Sequence, residues 1–439
     1  MPHAPKRQQL IVDTLEDAFT DLMQADPAAF RSKFRKMAAD PYSFYRGTAC
    51  LFYADMASSR DRWASEGASR VWIHGDLHAE NFGTYMNSHG VLVFDVNDFD
   101  EAYVGHFSWD LRRFVASLAL MGWQKALPEQ AVRDIVRVYL EAYVAQVQRY
   151  VDGADDTDFA LRLDNTDGPI HDVLRTAQGS SRLQMLDTLT LVEGHDRHFR
   201  EGGGHRPLKA RERKTVMAAF DRYLETIPSS KREQHEEFYE VKDVVGKSGF
   251  GIGSAGLPAY SVLIEGYDQA LENDVVLTMK QANVPAMSRY LDLPEVQEYF
   301  EHEGHRTAVS QRALQVHADQ FLGWTTVSGV GFVIDELSPY ETDLDWADLT
   351  EPDVIAPVVA QLGRASAKIH CVSDADSEQD LVDFQTEEAI AGVIGENRSD
   401  FIDDLSDAGI GYADRVRKDH ALFVDVFRSG DIGGVTATD

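Results

Sequence analysis

The segment 74–81, His-Gly-Asp-Leu-His-Ala-Glu-Asn, directly follows a short apolar run and places Asp76 five residues before Asn81. A second apolar run over 90–95 is followed by another acidic group, which includes Asp98. Both runs have the length and composition of short β-strands. An Asp and an Asn on one loop, with an Asp at an adjacent strand end, supply oxygen ligands for Mg²⁺ and a carboxylate that can face a hydroxyl group. The pattern therefore predicts a magnesium site beside a reactive loop.

This spacing resembles the catalytic segment of the protein-kinase-like superfamily, in the branch that contains the aminoglycoside and choline kinases. In that branch a His-Gly-Asp loop carries the catalytic Asp, an Asn follows five residues later, and a later strand ends in a metal-binding Asp. The resemblance implies that Asp76 orients the acceptor hydroxyl or acts as its base, and that Asn81 and Asp98 bind the metal. It also implies that Asp110 braces the catalytic loop through hydrogen bonds to the loop backbone.

Further acidic and histidine residues flank this predicted site. Asp95 and Asp100 are alternatives to Asp98 as metal ligands, and the sequence leaves the choice among the three open. His74 is expected to support the loop structurally rather than to take part in catalysis. His74 and His78 could suggest a pair of metal ligands, but no third ligand or helical context supports that interpretation. Any one of these aspartates could belong to an acidic surface turn, whereas their combined spacing favours a catalytic site.

Residues 251–256, Gly-Ile-Gly-Ser-Ala-Gly, match the pattern G-x-G-x-x-G, which is a weak signal when it stands alone. A dinucleotide-binding fold needs a helix directly after the glycines, but 257–265 contains a Pro and β-branched and aromatic residues instead. A Walker loop is excluded because the first glycine of that motif would fall at Val241. A strand, glycine loop and strand that cover the phosphates of ATP fit best. The predicted phosphate contacts are Gly251, Gly253, Ser254 and Gly256.

Two later positions complete the predicted nucleotide site. Lys280 ends an apolar run, where an ammonium group is costly unless a phosphate or a carboxylate pairs with it. The kinase-like resemblance implies a lysine on the strand after the glycine loop, so Lys280 is expected to contact the ATP phosphates. A strand-end lysine whose ammonium reaches solvent is the less favoured alternative. The nearest candidates for the acidic partner of Lys280 are Glu301 and Glu303. A later strand-like run ends at Glu336 and Leu337, whose backbone would hold adenine, although an ordinary strand followed by a proline turn explains the run nearly as well.

The chain divides into a helical block, a mostly β block and a second helical block. Helical spacing marks 8–25, 27–38, 128–151, a segment around 305–319, 353–369, 386–394 and 411–428. Short β-branched segments between turn residues mark strands at 240–246, 259–265, 274–281 and 327–335. The predicted fold class is therefore α+β.

The order of these blocks differs from that of ordinary kinase-like proteins, in which the glycine loop and the lysine precede the catalytic loop. Here Asp76 precedes Lys280 by about two hundred residues, and helices without a glycine loop precede Asp76. A circular permutation explains this order most simply, with the small β lobe inserted between two parts of one large helical lobe. The predicted units of this bilobal fold are 1–235 and 345–439 for the large lobe and 236–344 for the ATP-binding β lobe.

The whole chain also resembles the bacterial family called domain of unknown function 2252, over roughly residues 30–428. The resemblance rests on the segments 40–47, 74–81, 97–101, 251–256, 278–282 and 321–324. It implies a kinase-like fold without a settled substrate. Two residues depart from the family pattern, because Ala259 replaces a common Arg and Val309 stands where a Glu is usual. Arg46 is either a phosphate or substrate contact or one half of a structural salt bridge.

Composition limits the classes of partner. The 439 residues contain 42 Lys and Arg against 73 Asp and Glu, a formal net charge of −31. This charge disfavours a general nucleic-acid binder and a protein that binds anionic membranes, because both depend on basic surfaces. Hydrophobic residues make up 44% of the chain, which is ample for a large core. Two cysteines allow neither a disulfide framework nor a cysteine-rich zinc site.

The sequence predicts a soluble, cytoplasmic protein, because the N-terminus lacks a secretory apolar region and the longest apolar stretches are too short to span a bilayer. The motifs described above predict that this protein is an enzyme. The expected activity is an ATP- and Mg²⁺-dependent phosphoryl transfer to a hydroxyl group, with a small molecule as the acceptor. Two alternatives stay open: transfer of the AMP group on the same fold, and a pseudokinase that binds nucleotide without chemistry. The sequence predicts neither the acceptor nor the oligomeric state.

Overall fold

The computed structural model describes residues 4–233, 235–247, 257–377 and 380–438. The predicted phosphate contacts Gly251, Gly253, Ser254 and Gly256 lie outside these residues. About half of the chain is helical, and a six-stranded antiparallel sheet lies mid-chain between helical segments. The predicted α+β class is therefore confirmed.

The first block is mainly helical and contains two short strand pairs, β1 with β4 and β2 with β3. Its elements are α1 (Ala4–Ala25), α2 (Pro27–Met37), α3 (Pro41–Arg46), α4 (Ala49–Ala57), β1 (Val71–Ile73), β2 (Phe82–Met86), β3 (Leu92–Val96), β4 (Tyr103–Gly105), α5 (Phe107–Gln124) and α6 (Glu129–Val151). Asp26 and Asp40 cap α2 and α3, and each is followed by a proline in the first helical position. These local signals explain why α2 begins at the predicted residue.

The middle block contains the large sheet and the helices that cover it. Its elements are α7 (Gly168–Gln178), α8 (Arg182–Leu189), β5 (Thr190–Glu193), β6 (Asp196–Phe199), β7 (His205–Arg206), α9 (Ala210–Tyr223), β8 (Val241–Lys247), β9 (Ala259–Ile264), β10 (Val275–Gln281), α10 (Pro294–Tyr299), α11 (Glu303–Leu314), β11 (Gly323–Val327) and β12 (Val330–Glu336). The strand order in the sheet is β11-β12-β10-β9-β8-β7. All pairings are antiparallel.

The last block is helical and packs on the first. It contains α12 (Pro352–Cys371), α13 (Thr386–Ile394) and α14 (Arg398–Ser429). Helix α12 packs on α6, and their interface includes a hydrogen bond of 2.9 Å from the Tyr139 hydroxyl to Ser366 Oγ. Helix α14 packs on both α5 and α1, and Arg7 of α1 forms a buried ion pair with Asp419 of α14. The two ends of the chain therefore share one helical layer.

The core of the sheet extends to elements that precede the predicted 235/236 boundary. Helix α9 lies against β11, and its buried Val216 and Phe220 share an apolar cluster with Val262 and Leu277 of the sheet. Strand β6 packs beside β8. The division of the chain into three units stays a prediction. The packing places α9 and β6, which precede the predicted boundary, in the same compact region as the sheet.

Both cysteines are buried and form no disulfide. Burial raises the pKa of the Cys50 thiol to about 12 and the pKa of Cys371 well above its ordinary value. No helix within the described residues is long and apolar enough to cross a membrane.

Candidate functional site

The segment 74–76 forms a loop that is anchored on two helices. Asp110, in the first turn of α5, accepts hydrogen bonds from the backbone N–H groups of His74 at 2.6 Å and of Gly75 at 2.9 Å. His370 of α12 places its Nε2 atom 3.3 Å from the same carboxylate. Asp110 is fully buried, so these contacts are not weakened by solvent. The loop position is therefore set by α5 and α12 together.

Two local features make this loop conformation specific. Gly75 has a φ of +79°, and a Cβ atom there would lie 2.0 Å from the carbonyl oxygen of Glu101, so only glycine fits. His74 Nδ1 accepts from the N–H of Asp76 at 3.3 Å, and Nε2 lies 2.7 Å from the Asn97 carbonyl oxygen. Nε2 must therefore carry the ring proton and donate it. Both ring nitrogens are used, which fits a structural role for His74.

Asp76 is held by an arginine to which the sequence pattern assigned no role. Arg113 Nε donates to Asp76 Oδ1 at 2.6 Å, and its Nη2 atom bonds the same oxygen. Asn81 Nδ2 donates to the backbone carbonyl of Asp76 at 2.9 Å. Burial raises the pKa of Asp76, and the Arg113 guanidinium opposes that rise. The signal for Arg113 was its position three residues after Asp110, which puts both on one face of α5.

Lys280 meets the segment that follows β3. Its Nζ atom donates to Asp100 Oδ2 at 2.7 Å. Burial lowers the pKa of Lys280, but the carboxylates of Asp100 and Asp98 outweigh it, so the net shift is upward. The sequence left the acidic partner of Lys280 open, with Glu301 and Glu303 as the nearest candidates. In the structure the partner is Asp100, and Glu303 instead pairs with Arg306 at 2.6 Å, one turn along α11. Because Asp100 lies 180 residues from Lys280 in the chain, the spacing of residues within one segment could not predict this ion pair.

The three aspartates considered as metal ligands have different environments. Asp95 is buried and forms an ion pair with Lys368 of α12, which also donates to the Leu314 carbonyl oxygen. It is already neutralised and does not line the cleft. Asp98 is exposed, has a φ of +59°, and receives no hydrogen bond from the described residues. Of these three aspartates, Asp98 and Asp100 line the cleft and Asp95 does not.

Arg306 of α11 holds this acidic segment in place through hydrogen bonds to backbone carbonyl groups. The side chain is buried and donates to the carbonyl oxygens of Asp100 at 2.8 Å, Ala102 at 2.6 Å and Asn283 at 2.9 Å. It thereby joins the loop after β3 to the chain that leaves β10. Arg306 was not predicted from the sequence, because an arginine in a helix is ordinarily a surface residue.

One cleft is lined by Asp76, Asp98 and Asp100. Lys280 and Asn81 do not line this cleft. Its walls include Lys33, Arg46, Asp76, Asp98, Asp100, Glu101, Asn283 and Arg289. Arg46 forms an ion pair with Glu80 and also lines the cleft, so both roles considered for this residue are compatible with its position. Lys33 is 4% exposed, and its Nζ atom lies 4.1 Å from the centre of the Phe19 ring. Burial lowers the pKa of Lys33 to about 8.

The predicted adenine contacts are arranged differently from the expectation. The N–H of Glu336 donates to Asp319 Oδ2 at 2.8 Å, and the N–H of Leu337 donates to the Val276 carbonyl oxygen at 2.9 Å. The Glu336 side chain pairs with Arg182 at 2.5 Å. Neither backbone N–H is available to a bound base in this arrangement.

The donor set fits a hard cation. The Nδ2 group of Asn81 donates a hydrogen bond to the Asp76 carbonyl oxygen, and its Oδ1 atom accepts no hydrogen bond from the described residues. Together with Asp98 and Asp100 it offers only oxygen ligands, which Mg²⁺ prefers. Asp76, Asp98 and Asp100 thus line one cleft, and Lys280 pairs with Asp100 of that cleft.

A family model described as "Uncharacterized protein conserved in bacteria (DUF2252)" matches residues 25–426. No curated protein and no solved structure matches the chain.

Proposed function

We propose that the chain, which belongs to the DUF2252 family, is an ATP- and Mg²⁺-dependent phosphotransferase that acts on a hydroxyl group of a small acceptor. One observation carries the proposal: Asp76, Asp98 and Asp100 line a single cleft, and Lys280 is bound to Asp100 across 180 residues of chain. This combination suits phosphoryl transfer, in which positioning and charge neutralisation provide most of the catalysis.

Each side chain has a role in this proposal. Asp76 would accept a hydrogen bond from the acceptor hydroxyl, while Arg113 holds its carboxylate in a fixed orientation. Asn81 and Asp98 would hold Mg²⁺, with Asp100 as the alternative ligand. When bound, this ion would neutralise charge on the phosphate oxygens. Lys280 would exchange its contact with Asp100 for the phosphates, or bridge the two.

The same proposal includes a kinase-like fold whose chain order is permuted. The packing of the chain ends supports it, because Arg7 of α1 bonds both Asp55 of α4 and Asp419 of α14. Helices from the two ends of the chain thus pack in one layer. A circular permutation joins the chain ends at such a place and opens the chain at another, and the packing of this layer would be preserved.

A pseudokinase is the second candidate, and one observation favours it. The N–H groups of Glu336 and Leu337 are both occupied, which removes the donors expected to hold adenine. Transfer of AMP rather than phosphate is a third candidate on the same fold.

The test compares Asp76→Asn with Asp21→Asn, a matched change at an exposed position on α1. We expect Asp76→Asn to lose turnover by about a hundredfold or more and to keep Mg-ATP binding, because the change removes the hydrogen-bond acceptor and not the metal ligands. Turnover is measured by mass spectrometry over a panel of hydroxyl acceptors, where the added mass separates phosphoryl from AMP transfer.

Normal turnover by Asp76→Asn would overturn the assigned role. Metal-independent ATP binding without product from any acceptor would favour the pseudokinase instead.

A further inference from the structure

Three carboxylates converge at a place away from the cleft. Asp156 follows α6, Asp374 follows α12, and Glu387 lies in the first turn of α13. One oxygen from each of the three lies within 4.8 Å of the others. Their exposed fractions are 6%, 0% and 7%. Three separate parts of the chain thus deliver acidic groups to one buried point.

These carboxylates lack a protein counter-charge. No Lys, Arg or His within the described residues forms an ion pair with Asp156, Asp374 or Glu387. Asp374 Oδ2 accepts from the N–H of Thr386 at 2.9 Å and from its hydroxyl at 3.0 Å. By contrast, Asp374 Oδ1 and Glu387 Oε2 are buried and receive no hydrogen bond from an N–H or hydroxyl group of the described residues. Buried oxygens of this kind are rare and costly, so each requires a physical cause.

A bound cation or a shared proton could satisfy these oxygens. A single proton would join Asp374 to Glu387 and leave Asp156 to be neutralised separately. One divalent cation would satisfy all three groups at once, because it accepts several oxygen ligands. Burial, with the neighbouring carboxylates, raises the pKa of Glu387 to about 8 and that of Asp156 to about 6, so the charged cluster is unfavourable without a cation.

We propose that Asp156, Asp374 and Glu387 bind one Ca²⁺ ion. The ligands are all oxygen, which excludes the His and Cys sets typical of zinc. Three oxygens within 4.8 Å of one another surround a point that is at most about 2.8 Å from each, which is within a few tenths of an ångström of the Ca–O range of roughly 2.3–2.6 Å. Mg²⁺ ordinarily keeps several waters, whereas Ca²⁺ accepts a site built mainly from protein carboxylates.

The ion would fasten the end of α12 to α6 and α13. Helix α12 also carries Lys368, which pairs with Asp95, and His370, which contacts Asp110 behind the catalytic loop. The calcium site therefore has a structural role of its own, and its existence does not depend on the proposed phosphotransferase activity.

The experiment titrates Ca²⁺ alone into the full, metal-depleted chain by calorimetry and follows thermal unfolding. We expect one Ca²⁺ per chain and a rise in Tm of about 3 °C at a hundredfold excess over Kd. Glu387→Gln should weaken binding at least tenfold and remove the rise in Tm. Glu388→Gln is the matched control, because Glu388 is exposed one residue along the same helix.

Two further variants distinguish calcium binding at these three carboxylates from calcium binding in the cleft. Asp156→Asn, on a different part of the chain, should repeat the effect of Glu387→Gln, even where one of the two variants folds poorly. Asp98→Asn should keep Ca²⁺ binding, because Asp98 lies in the cleft. The proposal is overturned if Ca²⁺ neither binds nor raises Tm, if Mg²⁺ acts equally at equal concentration, or if Asp98→Asn rather than Glu387→Gln abolishes binding.

Discussion

Lys33 occupies an environment that is unfavourable for its charge. The side chain lies against Phe19 and Phe30, and no hydrogen bond or ion pair reaches its ammonium group from the described residues. Burial lowers its pKa from 10.5 to about 8, although Glu101 and Asp76 partly oppose the change. A charged group that is buried without a direct partner destabilises the folded state.

We predict that Lys33→Met raises Tm by a few degrees at pH 7. The unfolded chain holds this proton more tightly than the folded chain, so Lys33 costs stability below pH 8 and less as pH rises from 8 towards 10.5. The gain from Lys33→Met should therefore shrink at pH 9.5. Thermal unfolding at both pH values measures it, with the exposed Lys36→Met as control. A less stable Lys33→Met would mean that the ammonium is well satisfied.

At the scale of single residues, proximity in the chain decided what could be predicted. Asp76, Asn81 and Asp110 lie within 35 residues of one another, and their spacing indicated one site. Lys280 and Asp100 are separated by 180 residues, so their pairing depends on the packing of the sheet against the first block. Such long-range ion pairs carry no local pattern.

Helix α11 connects the sheet to the acidic loop. Gly304 in its first turn is so close to β12 that a Cβ atom would lie 2.4 Å from the Phe332 carbonyl oxygen. Two residues later, Arg306 donates to the backbone of Asp100, Ala102 and Asn283. The helix therefore fixes one side of the cleft relative to the sheet.

We predict that Arg306→Met lowers the free energy of unfolding by about 3 kcal/mol or more, because several buried carbonyl groups lose their donor. Denaturant unfolding measures the loss, and hydrogen exchange should increase in the segment 98–102. Arg133→Met, which removes exposed ion pairs with Asp407 and Glu129, is the control and should change stability by less than about 1 kcal/mol. Equal effects of the two substitutions would contradict this role for α11.

Elements with strong local signals were predictable, and elements defined by packing were not. Strands β9, β10 and β12 could be predicted from their β-branched residues. The sequence predicted α14 only over 411–428, because Gly409 weakens the helical pattern before that range. In the structure α14 begins at Arg398. The structure explains this glycine: a Cβ atom there would lie 2.3 Å from Val115 Cγ1, so Gly409 lets α14 approach α5 closely.

The net charge of −31 is a property of the whole molecule. Like charges repel more strongly in the compact state than in the unfolded chain, and salt screens that repulsion. Many ion pairs are also present, but those at the surface contribute little. We therefore expect repulsion among the excess carboxylates to affect the free energy of unfolding more than the surface ion pairs do.

We predict that Tm rises by several degrees when KCl increases from about 10 to about 150 mM, over which the screening length falls from roughly 30 to 8 Å. Calorimetry with chelated divalent ions measures the shift, and an uncharged osmolyte of equal osmolality serves as the control. A decrease in Tm would instead mean that surface ion pairs dominate the electrostatic free energy.

The order of the three blocks was predictable because each has its own periodicity, while their docking was not. Arg182 of α8 pairs with Glu336 at the end of β12, and α9 covers the sheet. These contacts depend on surfaces that form only after the elements fold. Composition and periodicity therefore predicted the content of each block better than its boundaries.

The burial of both thiols has a practical consequence for spectroscopy. Cys50 and Cys371 are enclosed and their pKa values are raised, so neither should react with maleimide reagents in the native protein at neutral pH. A new cysteine at Val330, the exposed first residue of β12, or at an exposed position of α14 could then be labelled without first replacing the native pair. Two such positions would accept a donor and an acceptor dye, and energy transfer between them would report movement of the sheet relative to the helices.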